Sequence, residues 1–298
     1  MTRIARAVAG VALLVLGAPL AHAAEADWSK VDQALGRKGA QQAGGIVRYG
    51  LPRSDLNVTV DGVTIKPSFA LGGWVAFEPM SSGEAMLMGD LVLTDTEISP
   101  VMKKLLDAGL EVSAIHNHLL RTSIPVFYMH VGGHGDPAKL AESLRSALAS
   151  SKTPLAQSPP ASPPPAVDLD TAMIEKILGE KGTANGGVYQ FGIPRAEAIT
   201  EGGMPVPPPM GTGTAINFQP TGGGKAAITG DFVLLASEVN SVMKTLRQNG
   251  IEVTALHSHM VDETPRLYFM HFWANDDAQK LARGVRAALD VMNLKRSS

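Results

Sequence analysis

Residues 89–130 read GDLVLTDTEISPVMKKLLDAGLEVSAIHNHLLRTSIPVFYMH, and residues 230–271 read GDFVLLASEVNSVMKTLRQNGIEVTALHSHMVDETPRLYFMH. The two stretches align without a gap at an offset of 141 positions. Gly89-Asp90 returns as Gly230-Asp231, Glu97 as Glu238, Gly109 as Gly250, and Glu111 as Glu252. His116-Asn117-His118 returns as His257-Ser258-His259, and Met129-His130 as Met270-His271. Two copies of one unit imply a pair of domains and not a solenoid.

The same block sets the element types. Thr94 and Glu97 stand in capping-box spacing. Ile98, Val101, Met102, Leu105 and Leu106 then form one apolar stripe at helical spacing, and Gly109 ends it. Strands are expected over residues 85–93 before this helix, and over 111–119 and 126–131 after it. Asp136-Pro137 opens a closing helix with Leu140, Leu144, Ala147 and Leu148 inward.

Working upstream, residues 27–35 read as a short helix, 45–51 as a strand ended by Pro52, and 73–78 as another strand. Residues 57–65 read as a hairpin about Asp61-Gly62. The second half repeats this order with one expected departure. Residues 201–210, EGGMPVPPPM, carry four prolines, which predicts a loop in place of the hairpin. Gly132-Gly133-His134 reads as a glycine-rich turn that leaves the first half more open than the second, which has Trp273-Ala274-Asn275 there. The fold class is α+β: two tandem homologous domains, each an antiparallel or mixed sheet with helices mainly on one face. In each, a β-α-β unit precedes a hairpin and a closing helix.

The expected boundaries are 1–23, 24–150, 151–167 and 168–298. Residues 1–23 read as a secretory signal peptide, with Arg3 and Arg6, an apolar run over 7–16, and Ala21-His22-Ala23 at the cleavage point. Residues 150–167 contain six prolines in eighteen positions and read as an extended tether. No later segment approaches the ~20 apolar residues of a spanning helix. A periplasmic or secreted location follows, with no transmembrane segment after cleavage.

Hydrophobic residues make up 45% of the chain and charged ones 18%, enough for packed cores. Without residues 1–23 the formal charge is 24 − 28 = −4, which argues against an electrostatic nucleic-acid binder. The chain has no cysteine, so disulfides, thiolate metal ligands, a cysteine nucleophile and a lipid-modified cysteine are excluded.

The histidines carry the chemistry. Side chains alternate along a strand, so His116 and His118 share a face with Ala114 and Val112, while Ser113 and Ile115 point away. With even pairing parity the returning strand brings His130 to the same face. His257, His259 and His271 repeat the set. Neutral imidazoles suit zinc, copper, iron or nickel, and three of them leave a coordination position open. A transition metal, with zinc or copper the candidate ion, is one reading. A pocket for a small polar ligand or for catalysis without metal is another, and a structural hydrogen-bond network is the third. Asp90 and Asp231 are candidate ligand-binding carboxylates. Glu97 and Glu238 read as helix-cap residues, and Met129 and Met270 as core. Arg53 and Arg195, each following a strand-ending proline, are candidates to clamp an anionic ligand or to form structural ion pairs. The chain has no His-Glu-x-x-His, no Walker loop and no Gly-x-Ser-x-Gly. Gly222-Gly223-Gly224-Lys225 lacks the flanking spacing of a phosphate loop.

Gly89-Asp90-Leu91-Val92-Leu93, the run from Glu111 to Leu120, and Tyr128-Met129-His130 resemble the LppY/LpqO family of exported bacterial proteins. The resemblance spans both halves and implies tandem architecture and export. It implies no activity. Some members are lipoproteins, a property that a chain without cysteine does not share. Three functional readings stand: a binding protein for a metal or small polar ligand, an envelope hydrolase using histidine and carboxylate, and a non-catalytic scaffold.

Overall fold

The computed structural model describes residues 27–156 and 165–295. The expected signal peptide and the centre of the proline-rich tether lie outside the described residues. The first half contains α1 (Ser29–Leu35), β1 (Ala40–Gln41), β2 (Val47–Pro52), β3 (Thr59–Val60), β4 (Val63–Thr64), α2 (Pro67–Ala70), β5 (Gly72–Pro79), β6 (Ala85–Thr94), α3 (Asp95–Asp107), β7 (Glu111–His116), β8 (Val126–Gly135) and α4 (Pro137–Leu148). The second contains α5 (Thr171–Leu178), β9 (Thr183–Asn185), β10 (Val188–Pro194), β11 (Thr200–Glu201), β12 (Met204–Pro205), β13 (Gly213–Gly222), β14 (Lys225–Leu235), α6 (Val239–Gln248), β15 (Glu252–His257), β16 (Glu263–Thr264), β17 (Leu267–Asp277) and α7 (Ala278–Leu289).

Each half builds one six-stranded sheet, ordered β1-β2-β5-β6-β8-β7 and β9-β10-β13-β14-β17-β15. All neighbouring strands within them are antiparallel. The strands flanking α3 are not neighbours, because β8 inserts between β6 and β7. α3 begins where the Thr94 backbone N–H donates to the Glu97 carboxylate at 2.9 Å, and Gly109 follows it in the left-handed region at φ 78°.

Strand β6 is buried on both faces, which explains the layering. Leu87, Leu91 and Leu93 pack on the core beneath α1, α3 and α4. Met86 and Val92 lie on the opposite face, in clusters that hold residues of both halves. Phe69, Val92 and Tyr128 pack with Val188, Ala227 and Trp273. Ile46, Ala76 and Met86 pack with Met210, Val233 and Phe269. The two sheets therefore meet face to face, with helices on the outside of each. Every Leu or Phe buried in this way contributes about 1.5–3 kcal/mol, so the apolar inner faces hold the halves together.

Three expectations are corrected. The hairpin of the second half is retained: β11 pairs with β12 across Gly202-Gly203, as β3 pairs with β4 across Asp61-Gly62. All four turn residues have positive φ, and the dense prolines sit at the end of β12 and in the following 3-10 turn Pro208–Met210, where no ladder N–H is needed. Gly132-Gly133-His134 is strand and not turn, since β8 runs on to Gly135. A Cβ on Gly133 would come within 3.3 Å of Leu140, so glycine there admits close packing of α4. Finally, β7 ends at His116, three residues short of the expected strand end.

Candidate metal centre

Register assembles the site. His130 pairs with Asp90 on β6 and with Ala114 on β7, so the three lie in one row on the inner face. His116 pairs with Tyr128 in the next row, so of the two parities that the sequence left open the structure has the even one. His271 stands in the same way between Asp231 and Ala255. Glycine precedes each aspartate because the adjoining strand is close: a Cβ on Gly89 would stand 2.7 Å from the Trp74 carbonyl oxygen.

A bulge in β7 between Val112 and Ala114, repeated in β15 between Val253 and Ala255, alters the expected alternation. The extra residue turns Val112 to the helix-side core. Ser113 turns to the other half instead, where its hydroxyl donates to the His259 carbonyl at 2.5 Å. Thr254 does the same to the His118 carbonyl, also at 2.5 Å.

The six histidines form one cluster between the sheets. His116 stacks on His257 with ring centroids 3.5 Å apart. His118 stacks on His271 at 3.7 Å, and His130 on His259 at 3.6 Å. Tyr128 covers the other face of His118 at 3.3 Å, and Phe269 covers His259 at 3.4 Å. An approximate two-fold relation thus exchanges the halves. The expected second-half set, His257, His259 and His271, is kept as one group, while face-to-face packing of the sheets divides His116, His118 and His130 among groups shared with the other half. Three groups have donor atoms all within 4.8 Å of one another: His116, His130 and His259; His116, His118 and His271; His257, His259 and His271. The first two draw on both halves.

Asp90 and Asp231 join the cluster. Asp90 oxygens lie 3.8 Å from His118 Nε2 and 3.6 Å from His130 Nε2. Asp231 oxygens lie 3.9 Å from His259 Nε2 and 3.9 Å from His271 Nε2. These distances exceed hydrogen-bond range. His116, His118, His130 and His259 Nε2, with Asp90 and Asp231 Oδ1, are buried without a hydrogen-bond partner among the described residues. His271 is better supplied: its Nδ1 lies 2.8 Å from the Gly230 carbonyl and its Nε2 lies 2.8 Å from His257 Nε2.

Burial dominates the electrostatics. It pushes His116 down to about 3, helped by the charge of His257, and His257 down to about 4. Burial and neighbouring imidazoles hold His118, His130, His259 and His271 well below the ordinary histidine range. Burial pushes Asp90 up to about 8 against the opposing charge of Arg48. Asp231 is raised by burial and then by the charge of Asp90. A cation among these groups would reverse the carboxylate preference for the proton.

Besides a cavity of about 20 Å³ at His130 and His259, two larger cavities open onto the cluster. One of about 350 Å³ reaches His130 and His259, and one of about 220 Å³ reaches His118 and His271. Arg48, Trp74, Asp90, Ala215 and Asp231 line both. A cavity of about 420 Å³ beside Arg195 and Glu197 touches none of the six histidines.

The structure does not bring Arg53 and Arg195 to the cluster. Arg53 is fully buried, and its five N–H groups go to Asp55, Glu97 and the Val92 carbonyl. Arg195 repeats this with Glu197, Glu238 and the Val233 carbonyl. These ion pairs lock the first turn of each β-to-α connection. Glu252 pairs instead with Arg121 at 2.6 Å. Met129 and Met270 are wholly buried on the helix side. Sequence reasoning missed Arg48, Trp74, Tyr128, Ser113 and Thr254. Arg48 carried a signal: it alternates with Val47 and Tyr49, so a charge faces inward on a strand whose other face is core.

A family model described as a domain of unknown function, DUF1259, matches residues 29–150 and 172–291. No curated protein matches the chain. Among solved structures, the trimeric bacterial microcompartment shell protein PduB is 14% identical, over 87% of this chain and 96% of that one, with a TM-score of 0.22. EtuB from Clostridium kluyveri is 10% identical, over 85% of this chain and 90% of that one, with a TM-score of 0.21. Scores this low carry no argument about fold or function.

Proposed function

We propose, for a chain that belongs to the DUF1259 family and carries its domain of unknown function in two tandem copies, that the paired domains form one holder for divalent transition-metal ions. The observation that carries this reading is the set of unpartnered buried donors: four imidazole nitrogens and two carboxylate oxygens facing one another. Each unsatisfied buried polar atom costs about 1–3 kcal/mol, and a structural network would have closed those bonds internally. Atoms bonded to one ion at about 2.0–2.2 Å stand some 3–3.5 Å apart, close to the carboxylate–imidazole spacings here. Imidazole and carboxylate without sulfur suit zinc or copper in the divalent state. Both aspartates would ionise on loading, and protons would be released.

The test is the metal content of protein purified without a histidine tag, followed by titration of stripped protein with zinc and with copper. Bound metal in the purified protein, or tight uptake on titration, supports the holder. Neither ion present and neither taken up would overturn it.

The likeness to exported LppY/LpqO proteins adds a compartment to the proposal. With residues 1–23 removed as a signal peptide, the chain would load its ion in the periplasm or outside the cell. Sequencing the N-terminus of protein from its native host tests this, with Ala24 the expected first residue.

The cavities favour a second reading, in which the ion activates water for hydrolysis of a small bound molecule. A screen of ester, phosphoester, peptide and glycan substrates tests it. Turnover lost in both His116→Ala and His257→Ala supports it, and absence of such turnover counts against it.

A further inference from the structure

The approximate two-fold symmetry of the site is broken on the inner sheet faces. In the row next to the aspartates, β2 and β5 present Arg48 beside Ala76, where β10 and β13 present Gln190 beside Asn217. Opposite Asp90 stands Trp74, where Ala215 stands opposite Asp231. The guanidinium carbon of Arg48 lies 3.7 Å over the Trp74 ring, and its Nη1 donates to the Pro209 carbonyl of the other half at 2.7 Å. Its Nε and Nη2 bond to no other described residue. The two larger cavities that reach the histidines are both lined by Arg48. Gln190 is differently placed: its amide donates to the Ser68 carbonyl and to Asn217, and its oxygen accepts from Asn185.

We propose that Arg48 is the anion-binding element of the site, receiving a small carboxylate- or phosphoryl-bearing ligand whose other atoms reach the metal. The inference rests on the metal reading above. One divalent ion neutralises Asp90 and Asp231 together, which leaves Arg48 as an uncompensated positive charge at the mouth. Nε and Nη2 of a guanidinium point the same way and match the two oxygens of a carboxylate or phosphoryl group. Stacking on Trp74 and the bond to Pro209 fix the plane of that fork, so little side-chain freedom is lost on binding. The cavities admit only a small ligand. The second half, with Gln190 and Ala215, offers no such charge, so one anion is expected per chain.

The full chain loaded with cobalt in place of zinc gives a direct readout. Metal content is measured first, and then acetate and inorganic phosphate are titrated in separate arms while the visible cobalt spectrum and the heat of binding are followed. The wild type is expected to bind one of the two anions at one site with a spectral change. Arg48→Gln is expected to hold the same amount of cobalt and to bind that anion at least about tenfold more weakly. Arg48→Lys, which keeps the charge without the fork, is expected to fall between them. Response to acetate alone identifies a carboxylate ligand, and response to phosphate alone a phosphoryl one. Cobalt-loaded wild type that binds neither anion, or Arg48→Gln that binds as tightly as wild type, overturns the inference while leaving the metal reading intact. Failure to take up cobalt, zinc and copper alike overturns both.

Discussion

His116 and His257, 141 positions apart in sequence, stack with ring centroids 3.5 Å apart at the junction of the two sheets. Each is the counterpart of the other in the internal duplication. The pair therefore stands where the approximate two-fold axis of the molecule crosses the site, and neither half can form the cluster alone.

Equivalence of this kind has a measurable consequence. His116→Ala and His257→Ala should both lower metal affinity, because His116 belongs to two of the three histidine groups and His257 to the third. Asp90→Asn and Asp231→Asn should weaken binding by about 10–100-fold each. Competition with a chelator of known affinity measures all four. A large loss in one member of a pair with none in its mate would show that only one half supplies the ligands.

Stability of the metal-free protein should depend on pH in a specific way. The folded chain keeps His116 and His257 neutral down to about 3 and about 4, and holds the other four imidazoles well below the ordinary 6.5. Below pH 6.5 the unfolded chain takes up protons that the folded chain refuses, so stability falls on acidification. Asp90 at about 8, and Asp231, act in the opposite sense. The folded chain holds their protons where the unfolded chain has released them, and that stabilisation is lost as pH rises through about 8. Six imidazoles outweigh two carboxyls on the acid side, so Tm should peak near neutrality, at roughly pH 6.5–7, and decline in both directions. Thermal melts in chelator across that range check it. A Tm that climbs steadily from neutral pH to about pH 5 would mean that the imidazoles charge freely within the fold.

The buried arginines should separate stability from binding. Arg53→Ala leaves Glu97 facing an empty buried site, and should cost about 3–5 kcal/mol in denaturant unfolding. Arg195→Ala should do the same through Glu238. Metal stoichiometry of the folded fraction should be unchanged in both. Loss of metal in well-folded Arg53→Ala would place that arginine in the ligand machinery after all.

The halves should stay together without their tether. A protease site introduced between residues 157 and 164 should, once cut, yield two fragments that co-elute and keep their metal. The apolar clusters shared by the sheets and the bonds from Ser113 and Thr254 would hold them. Size-exclusion chromatography with metal analysis decides. Separation into two metal-free fragments would contradict the shared site.

Local pattern carried the reading of this fold a long way. Thr94, Glu97 and Gly109 marked α3 because caps and left-handed stops act within a turn of their own position. Alternation put His116 and His118 on one strand face, but the parity that brings His130 beside them was open, because the irregular turn between β7 and β8 does not fix it. The bulge at Ser113 was hidden, since one extra residue in a ladder leaves no compositional mark. Retention of β11 and β12 was obscured by prolines that turned out to occupy positions without ladder bonds. Most consequential, nothing local says that two inner faces meet. His118 stacking on His271 is a contact across 153 positions, fixed by the burial of Val92, Phe269 and their neighbours on both sheets. Trp74 became visible as part of the site only through that packing, which also gave the inward-facing Arg48 its place there.

The proposal of a metal centre shared between the halves is tested most directly by anomalous diffraction, at the zinc or copper edge, from crystals of tag-free protein grown with the ion. The expected result is a peak between the sheets, bonded at about 2.0–2.2 Å by imidazoles from both halves, His116 or His118 together with His259 or His271. A well-ordered cluster with no anomalous peak, or an ion bound only by residues of one half, would contradict it.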